Sequence, residues 1–305
     1  MAESVRTSAG SLELPRRRSG SLPTFIVIGA MKAGTTSLFH YLSQHPDVYM
    51  SPLKELDFFA LEANWDRGVD WYRRQFAAAP EGVQAIGEAS TVYTKFPHYA
   101  GIPQRMASII PDARLIYVVR DPVERVRSHY EHRVAVGAET RSFDEAIESD
   151  PIYLDYSRYA MQLERYGPYF ARERILVVPS ETMRVDRVAT IARVFAFLNV
   201  DPGFVPPNLA TEFYRTQERT TWSPTMWRIR RAAKRYFPAT KRAKEFVDTR
   251  LPHFGRTRPG ERAISGEAAP LVTDAARRRI SAALADDVTQ LRAHVDGPFD
   301  GWGIS

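Results

Sequence analysis

Residues 24–42, TFIVIGAMKAGTTSLFHYL, constrain this chain more than any other stretch. A continuous apolar run (24–29) ends in glycine, passes through a loop rich in hydroxyls and gives way to a helical pattern. Apolar residues on both faces are how a buried parallel strand reads. Gly29 and Gly34 have the spacing of the phosphate-binding motif G-x-x-x-x-G-K-[ST], and Thr36 stands at its final hydroxyl. The lysine position, however, holds Thr35, and the one lysine, Lys32, comes early. Such a loop turns backbone amides and a helix start toward an anion. Gly34 permits close approach, and Thr35, Thr36 and Ser37 add donors. In a kinase or NTPase the lysine reaches the β- and γ-phosphates and the last hydroxyl meets Mg²⁺. A lysine in the middle of the loop is placed instead for a bridging oxygen beside a single phosphate.

The rest of the chain alternates strand and helix. QAIGEAS (84–90), RLIYVVR (114–120) and RILVVPSETM (174–183) read as further strands running into loops. DPVERVRSHYEHRV opens a helix with Pro122 near its first turn. VATIARVFAFLNV is an amphipathic helix, and 266–295 reads as a closing helical segment. The expectation is an α/β fold, a single domain over 24–305 with a central parallel sheet flanked by helices and ligands at the strands' carboxyl ends. The 305 residues suffice for one large core. Residues 1–23, rich in Ser, Gly and Arg, read as a disordered basic tail, since no long apolar run follows Arg16-Arg17-Arg18. The absence of cysteine excludes disulfides, thiol nucleophiles and cysteine-ligated metals, and fits a cytoplasmic protein. No apolar stretch approaches the roughly 20 residues of a membrane span. The net charge of +6 suits an anionic ligand.

In YVVRDPVERVRSHY, Arg120 ends a strand and Ser128 lies two turns into the next helix. Arginine offers a rigid donor fork to phosphate, and the serine hydroxyl can share the same anion. An arginine merely paired with Asp121 at a helix start is the plainer alternative. Together, KAGTTSLFHYLSQHPDV and RDPVERVRSHY resemble the two cofactor-binding segments of sulfotransferases that use 3′-phosphoadenylyl sulfate (PAPS). The likeness is to the carbohydrate, heparan-sulfate-type branch, as a soluble, bacterial-like member. It covers roughly residues 24–200. The resemblance implies that Lys32, Ala33, Gly34, Thr35, Thr36 and Ser37 wrap the phosphosulfate. Arg120 and Ser128 would hold the 3′-phosphate, Lys32 would be catalytic at the phosphate–sulfate bridge, and no metal would be required. In SPLKELDFFA, a K-E-x-x-F-F segment like that of the carbohydrate branch, it assigns the general base to Glu55, which would take the acceptor's proton. Glu88 is the second candidate for base or acceptor contact.

Weaker likenesses run further. NLATEFYRT and FGRTRP resemble stretches beside the nucleotide, making Tyr214, Gly255, Arg256 and Thr257 cofactor contacts. VDWYRRQF reads as packing, and His40, His45 and His98 as structural. The basic insert 215–258, with Trp222, Trp227 and Tyr236 among its cations, is a lid, an acceptor wall or a solvated helix. The acceptor is expected to be a hydroxyl of a glycan, glycolipid or small molecule, with peripheral membrane contact allowed and nucleic acid not expected. A P-loop kinase or NTPase, and a basic nucleic-acid or membrane binder, are the competing classes. The first lacks the usual lysine, and the second leaves the loop unexplained.

Overall fold

In a computed structural model the described residues are 21–211 and 272–304, with the backbone of 221–222 and 256–257. The heart is β1 (Phe25–Gly29), buried along its whole length. It lies between β3 (Ala85–Ala89) and β4 (Arg114–Val119), with β2 (Val48–Met50) outside β3 and β5 (Ile175–Pro179) outside β4. All four pairings are parallel. This arrangement explains the unbroken apolar strands, since helices cover both faces of a parallel sheet. The expected strands at 24–29, 84–90 and 114–120 are present. The short edge strand β2 has too few residues to show a period.

The helices follow the strands in order. They are α1 (Thr35–Leu42), α2 (Gly68–Arg74), α3 (Ile102–Ile109), α4 (Pro122–Ala135), α5 (Phe143–Ser149), α6 (Ile152–Asp155), α7 (Tyr159–Glu164), α8 (Ser180–Val185) and α9 (Arg187–Phe197). The last described helix is α10 (Asp274–Leu291), shorter than the expected 266–295. Local chemistry sets several boundaries. Asp121 caps α4 by accepting from Val123 N and Glu124 N at 2.8 and 3.2 Å, with Pro122 at a position that needs no amide. Ser142 and Glu145 form a capping box on α5. On α10 the buried residues Ala276, Ile280, Leu284, Val288 and Leu291 recur every three or four positions, which makes one apolar stripe against the domain. Asp287, on the same helix, accepts from the amides of Ala160 and Met161 at 3.1 and 2.9 Å and so secures the start of α7.

After β1 the chain crosses to β2 and β3 on one side, then to β4 and β5 on the other. Connections therefore diverge at the carboxyl end of β1, the place where open α/β sheets bind ligands. Gly87 shows how closely the strands pack. A Cβ there would lie 2.2 Å from the Phe25 ring of the neighbouring strand. Gly87→Ala is expected to destabilise the fold by about 1–3 kcal/mol through overpacking, read as a lower denaturation midpoint at unchanged m-value.

Candidate active site

The loop from β1 to α1 is shaped for an anion. Lys32 and Gly34 have φ of 72° and 102°, both left-handed. Gly34 is the N-cap of α1 and gives it no side-chain hydrogen bond, and the first turn has no acidic residue. No N-cap side chain covers the first turn of α1, so the positive end of the helix faces the loop. Ala33, Thr35 and Ser37 are buried, Thr36 is half-buried and Gly34 is exposed. Gly29, at the loop's root, has no room for a side chain, since a Cβ would lie 2.0 Å from Thr94 Oγ1.

Arg120 joins this loop from the end of β4. Its Nη1 donates to the Lys32 carbonyl at 3.2 Å, and the Tyr159 hydroxyl donates to the Arg120 carbonyl at 2.8 Å. Its Nε is buried with no hydrogen-bond partner among the described residues. Burial, and then the nearby Arg184, lower the Arg120 pKa, while Glu124 and Glu181 raise it. Two guanidiniums and an unmet buried donor beside an uncapped helix start fit a multiply charged anion. Ser128 is buried on α4, two turns along. The pairing of Arg120 with Asp121 does not form. Asp121 instead caps α4 and offers its own amide to Glu181 Oε1 at 3.1 Å. A cavity of about 250 Å³ at the end of β5 is lined by Glu181, Asp300 and Trp302 with no cation, which does not suit an anion.

Glu55 sits at the carboxyl end of β3. Its amide donates to Ala89 O at 2.8 Å, and its carboxylate accepts from Thr91 N at 2.8 Å and Thr91 Oγ1 at 3.2 Å. Lys54 bonds the other carboxylate oxygen. The side chain is 37 % exposed, so it is open to a molecule from solvent. Glu55 and Asp57 have left-handed φ of 62° and 52°. Three of the five non-glycine residues with positive φ among the described residues are thus Lys32, Glu55 and Asp57. Such conformations cost about 1–3 kcal/mol each and persist where the surroundings enforce them.

Glu88 is different. It is fully buried and accepts from Tyr72 Oη at 2.6 Å, Ser90 Oγ at 2.7 Å and Tyr93 Oη at 2.9 Å. Enclosed by those three hydroxyls, it cannot reach an acceptor and serves the framework. VDWYRRQF is therefore packing in part, through buried Tyr72, and a hydrogen-bond donor as well. His45 bonds Asp201 O and Asp47 N, both at 3.0 Å, among Phe195 and Phe204, a structural role. His98 meets the edge of Tyr156. His40 lies beside Phe39, with its pKa lowered by burial and then by Lys54.

Tyr214 and Gly255 lie outside the described residues. Arg256 and Thr257 form a short antiparallel pair with Trp222 and Thr221. Thr91, Arg184 and Lys95 belong to the site's surroundings and escaped the sequence reading. None stands in a motif, and only the ends of β3 and β5 bring them in.

Residues 23–204 match the Sulfotransferase family. The chain belongs to that family. It is 32% identical over 204 residues to human bifunctional heparan sulfate N-deacetylase/N-sulfotransferase 3, covering 60% of this chain and 23% of that protein. It is 40% identical over 111 residues to membrane-associated sulfotransferase kil1 of Dictyostelium discoideum, covering 36% of this chain and 22% of that one. The chain thus spans about a quarter of the length of these relatives. A sulfotransferase structure from Alicyclobacillus acidocaldarius superposes with a TM-score of 0.66 at 28% identity, covering 93% of this chain and 99% of that one. Fold and family therefore agree with the resemblance of the two anion-binding segments, including its heparan-sulfate-type branch.

Burial pushes Glu88 up to about 7 from 4.5, against the pull of its three hydroxyl donors. The folded protein therefore keeps a proton that the unfolded chain releases above about 4.5, and this contribution to stability fades as pH rises through 7. Across that window wild-type stability should fall relative to Glu88→Gln by up to about 1.4 kcal/mol per pH unit, measured by denaturant midpoints. Parallel pH profiles for the two proteins would refute the shift.

Proposed function

We propose that the protein transfers the sulfuryl group of PAPS to a hydroxyl of a carbohydrate or glycosylated small molecule. The observation that carries this is the uncapped, left-handed loop with its early lysine, bonded through Lys32 O to Arg120. The amides of Thr35 to Ser37 and the Lys32 ammonium serve the phosphosulfate. Arg120 and Ser128 serve a second phosphate, which a kinase or NTPase site has no call for. Arg120 also stands where a metal-binding carboxylate would be expected at the end of a P-loop enzyme's strand. Donor binding without added metal is part of the proposal.

Transfer is a single exchange at sulfur. The acceptor oxygen forms a bond to sulfur as the bond from sulfur to the bridging oxygen breaks, and the desulfated nucleotide PAP leaves. Glu55 takes the acceptor's proton, held by Thr91 so that its carboxylate faces solvent rather than the core. Lys32 meets the negative charge that gathers on the bridging oxygen. The heparan N-sulfotransferase relatives support a glycan as the acceptor. Within one domain over 24–305, the basic insert 215–258 is read as a lid or an acceptor wall, and Tyr214, Gly255, Arg256 and Thr257 as cofactor contacts. Cytoplasmic operation is inferred from the cysteine-free composition, and glycolipid acceptors are allowed by the same cationic insert.

PAP should bind without added metal and at least tenfold more tightly than AMP. Arg120→Ala should remove most of that difference, as expected from the loss of a charged hydrogen bond of about 1.5–3 kcal/mol. Calorimetry reads both, and equal affinities for PAP and AMP would defeat the assignment of Arg120. Glu55→Gln keeps the side chain's size but not its basicity. Turnover should fall by about 10²–10⁴-fold with PAP affinity nearly unchanged, and an unaltered rate would send the proton elsewhere.

A further inference from the structure

The turn that follows α10 places a tryptophan in a conformation that suits glycine. Gly301, Trp302 and Gly303 have φ of 71°, 59° and 70°, so all three lie in the left-handed region. A bulky residue there is an outlier that its surroundings must enforce. The enforcement is visible. Asp300 Oδ1 accepts from the Trp302 amide at 2.8 Å, and Arg292 Nη2 donates to the carbonyls of Asp300 and Ile304, both at 2.9 Å. Ile304 closes the turn, with its side chain buried and its amide donating to Gly301 O at 3.0 Å.

Such a turn fixes where the indole points. Trp302 Nε1 donates to Glu181 Oε2 at 2.9 Å, and its ring lies 6.0 Å from that of Tyr159, tilted by 57°. Both neighbours reach one peptide unit. Glu181 Oε1 accepts from the Asp121 amide at 3.1 Å, and the Tyr159 hydroxyl donates to the Arg120 carbonyl at 2.8 Å. The peptide joining Arg120 to Asp121 is thus gripped at its N–H and at its C=O, and Trp302 touches both grips. One bond would leave the long Glu181 side chain free to turn, and a donor on each carboxylate oxygen removes that freedom. The gripped peptide is the junction of β4 and α4. It is a rigid plane, so turning it would swing both the Arg120 side chain and the helix that carries Ser128.

We propose that Trp302 is a positioning residue for the donor site: its indole N–H orients the Glu181 carboxylate, which with Tyr159 locks the peptide between Arg120 and Asp121 so that Arg120 and Ser128 meet one phosphate. The proposal rests on the sulfotransferase reading given above, in which that phosphate is the 3′-phosphate of the donor. Trp302 binds no substrate itself. It acts through the peptide, so its loss loosens the second phosphate while leaving in place the groups that bind it.

Trp302→Phe keeps a ring beside Tyr159 but has no N–H for Glu181. PAP and AMP share the 5′-phosphate, and only PAP carries the 3′-phosphate. In calorimetry on the full chain, Trp302→Phe should weaken PAP about tenfold and AMP by less than about twofold. Trp302→Gly suits the left-handed backbone and removes the whole side chain, so it should weaken PAP at least as much without straining the turn. A second readout needs no ligand. Hydrogen exchange of the Asp121 amide should be about tenfold faster in Trp302→Phe, while the amides of β1, which report overall stability, keep their rates. Unchanged PAP affinity in either variant, a loss shared equally by AMP, or an Asp121 amide accelerated no more than those of β1 overturns the proposal. A wild-type protein that does not prefer PAP to AMP would overturn the sulfotransferase reading instead, and the exchange rates would still show whether Trp302 holds the peptide.

Discussion

The buried carboxylate of Glu88 is the tie on which the site depends. It sits on β3 in the centre of the domain and takes hydroxyl hydrogen bonds from three places: Tyr72 on α2, Tyr93 in the turn after β3, and Ser90 at the strand's end. A carboxylate so placed must be satisfied several times over, because isolation in the core is costly to a polar group. Its bonds therefore dictate where those three segments lie. Ser90 passes the constraint on, since its Oγ also accepts from the Asp57 amide at 3.0 Å. The loop bearing Glu55 and Asp57 is held by this bond and by Glu55 N to Ala89 O. Two left-handed non-glycine residues two positions apart are sustainable only in a loop clamped at both ends.

A second principle is the placement of charge at one edge of the sheet. Parallel strands deliver their following loops to the same side. The ends of β1 and β4 accordingly bring Lys32 and Arg120 together beside the start of α1. Carboxylates in this region are mostly committed. Asp121 caps α4, Glu181 bonds Asp121 N and the Trp302 indole, and Glu139 is held well down, at about 2, chiefly by Arg141. The excess of cations is local and arises from geometry. The net charge of +6 announced an anionic ligand without saying where it would sit.

What was legible in the sequence was what local pattern encodes. The unbroken apolar strands, the glycine spacing before α1, and Pro122 after Arg120 each state a conformation within a few residues, and the fold and the turn from β1 into α1 followed from them. The Glu55 assignment came from family likeness. Its exposure and its bond to Thr91 depend on two segments 36 residues apart. Glu88 misled for a related reason. A glutamate ending a strand near the cleft is placed either for chemistry or for burial, and only Tyr72, Ser90 and Tyr93 decide between them. Pairings between distant segments have no local signature, so these were the features that escaped.

The same long-range logic ties the C-terminal helix to the proposed donor site. Asp287 on α10 accepts the first amides of α7, where the side chain of Tyr159 begins. The Tyr159 hydroxyl holds the Arg120 carbonyl, and the Arg120 guanidinium holds the Lys32 carbonyl. Four links thus run from a helix late in the chain to the lysine near its beginning. Each is a hydrogen bond of ordinary length, worth about 0.5–1.5 kcal/mol on its own. Their joint effect is to fix orientation. Arg120 has one donor bonded to the loop and another buried and unmet among the described residues, and its backbone is held from behind by Tyr159. The closing helix therefore does more than cover apolar surface, and the order in which the chain adds its elements places the last support of the donor site after the basic insert.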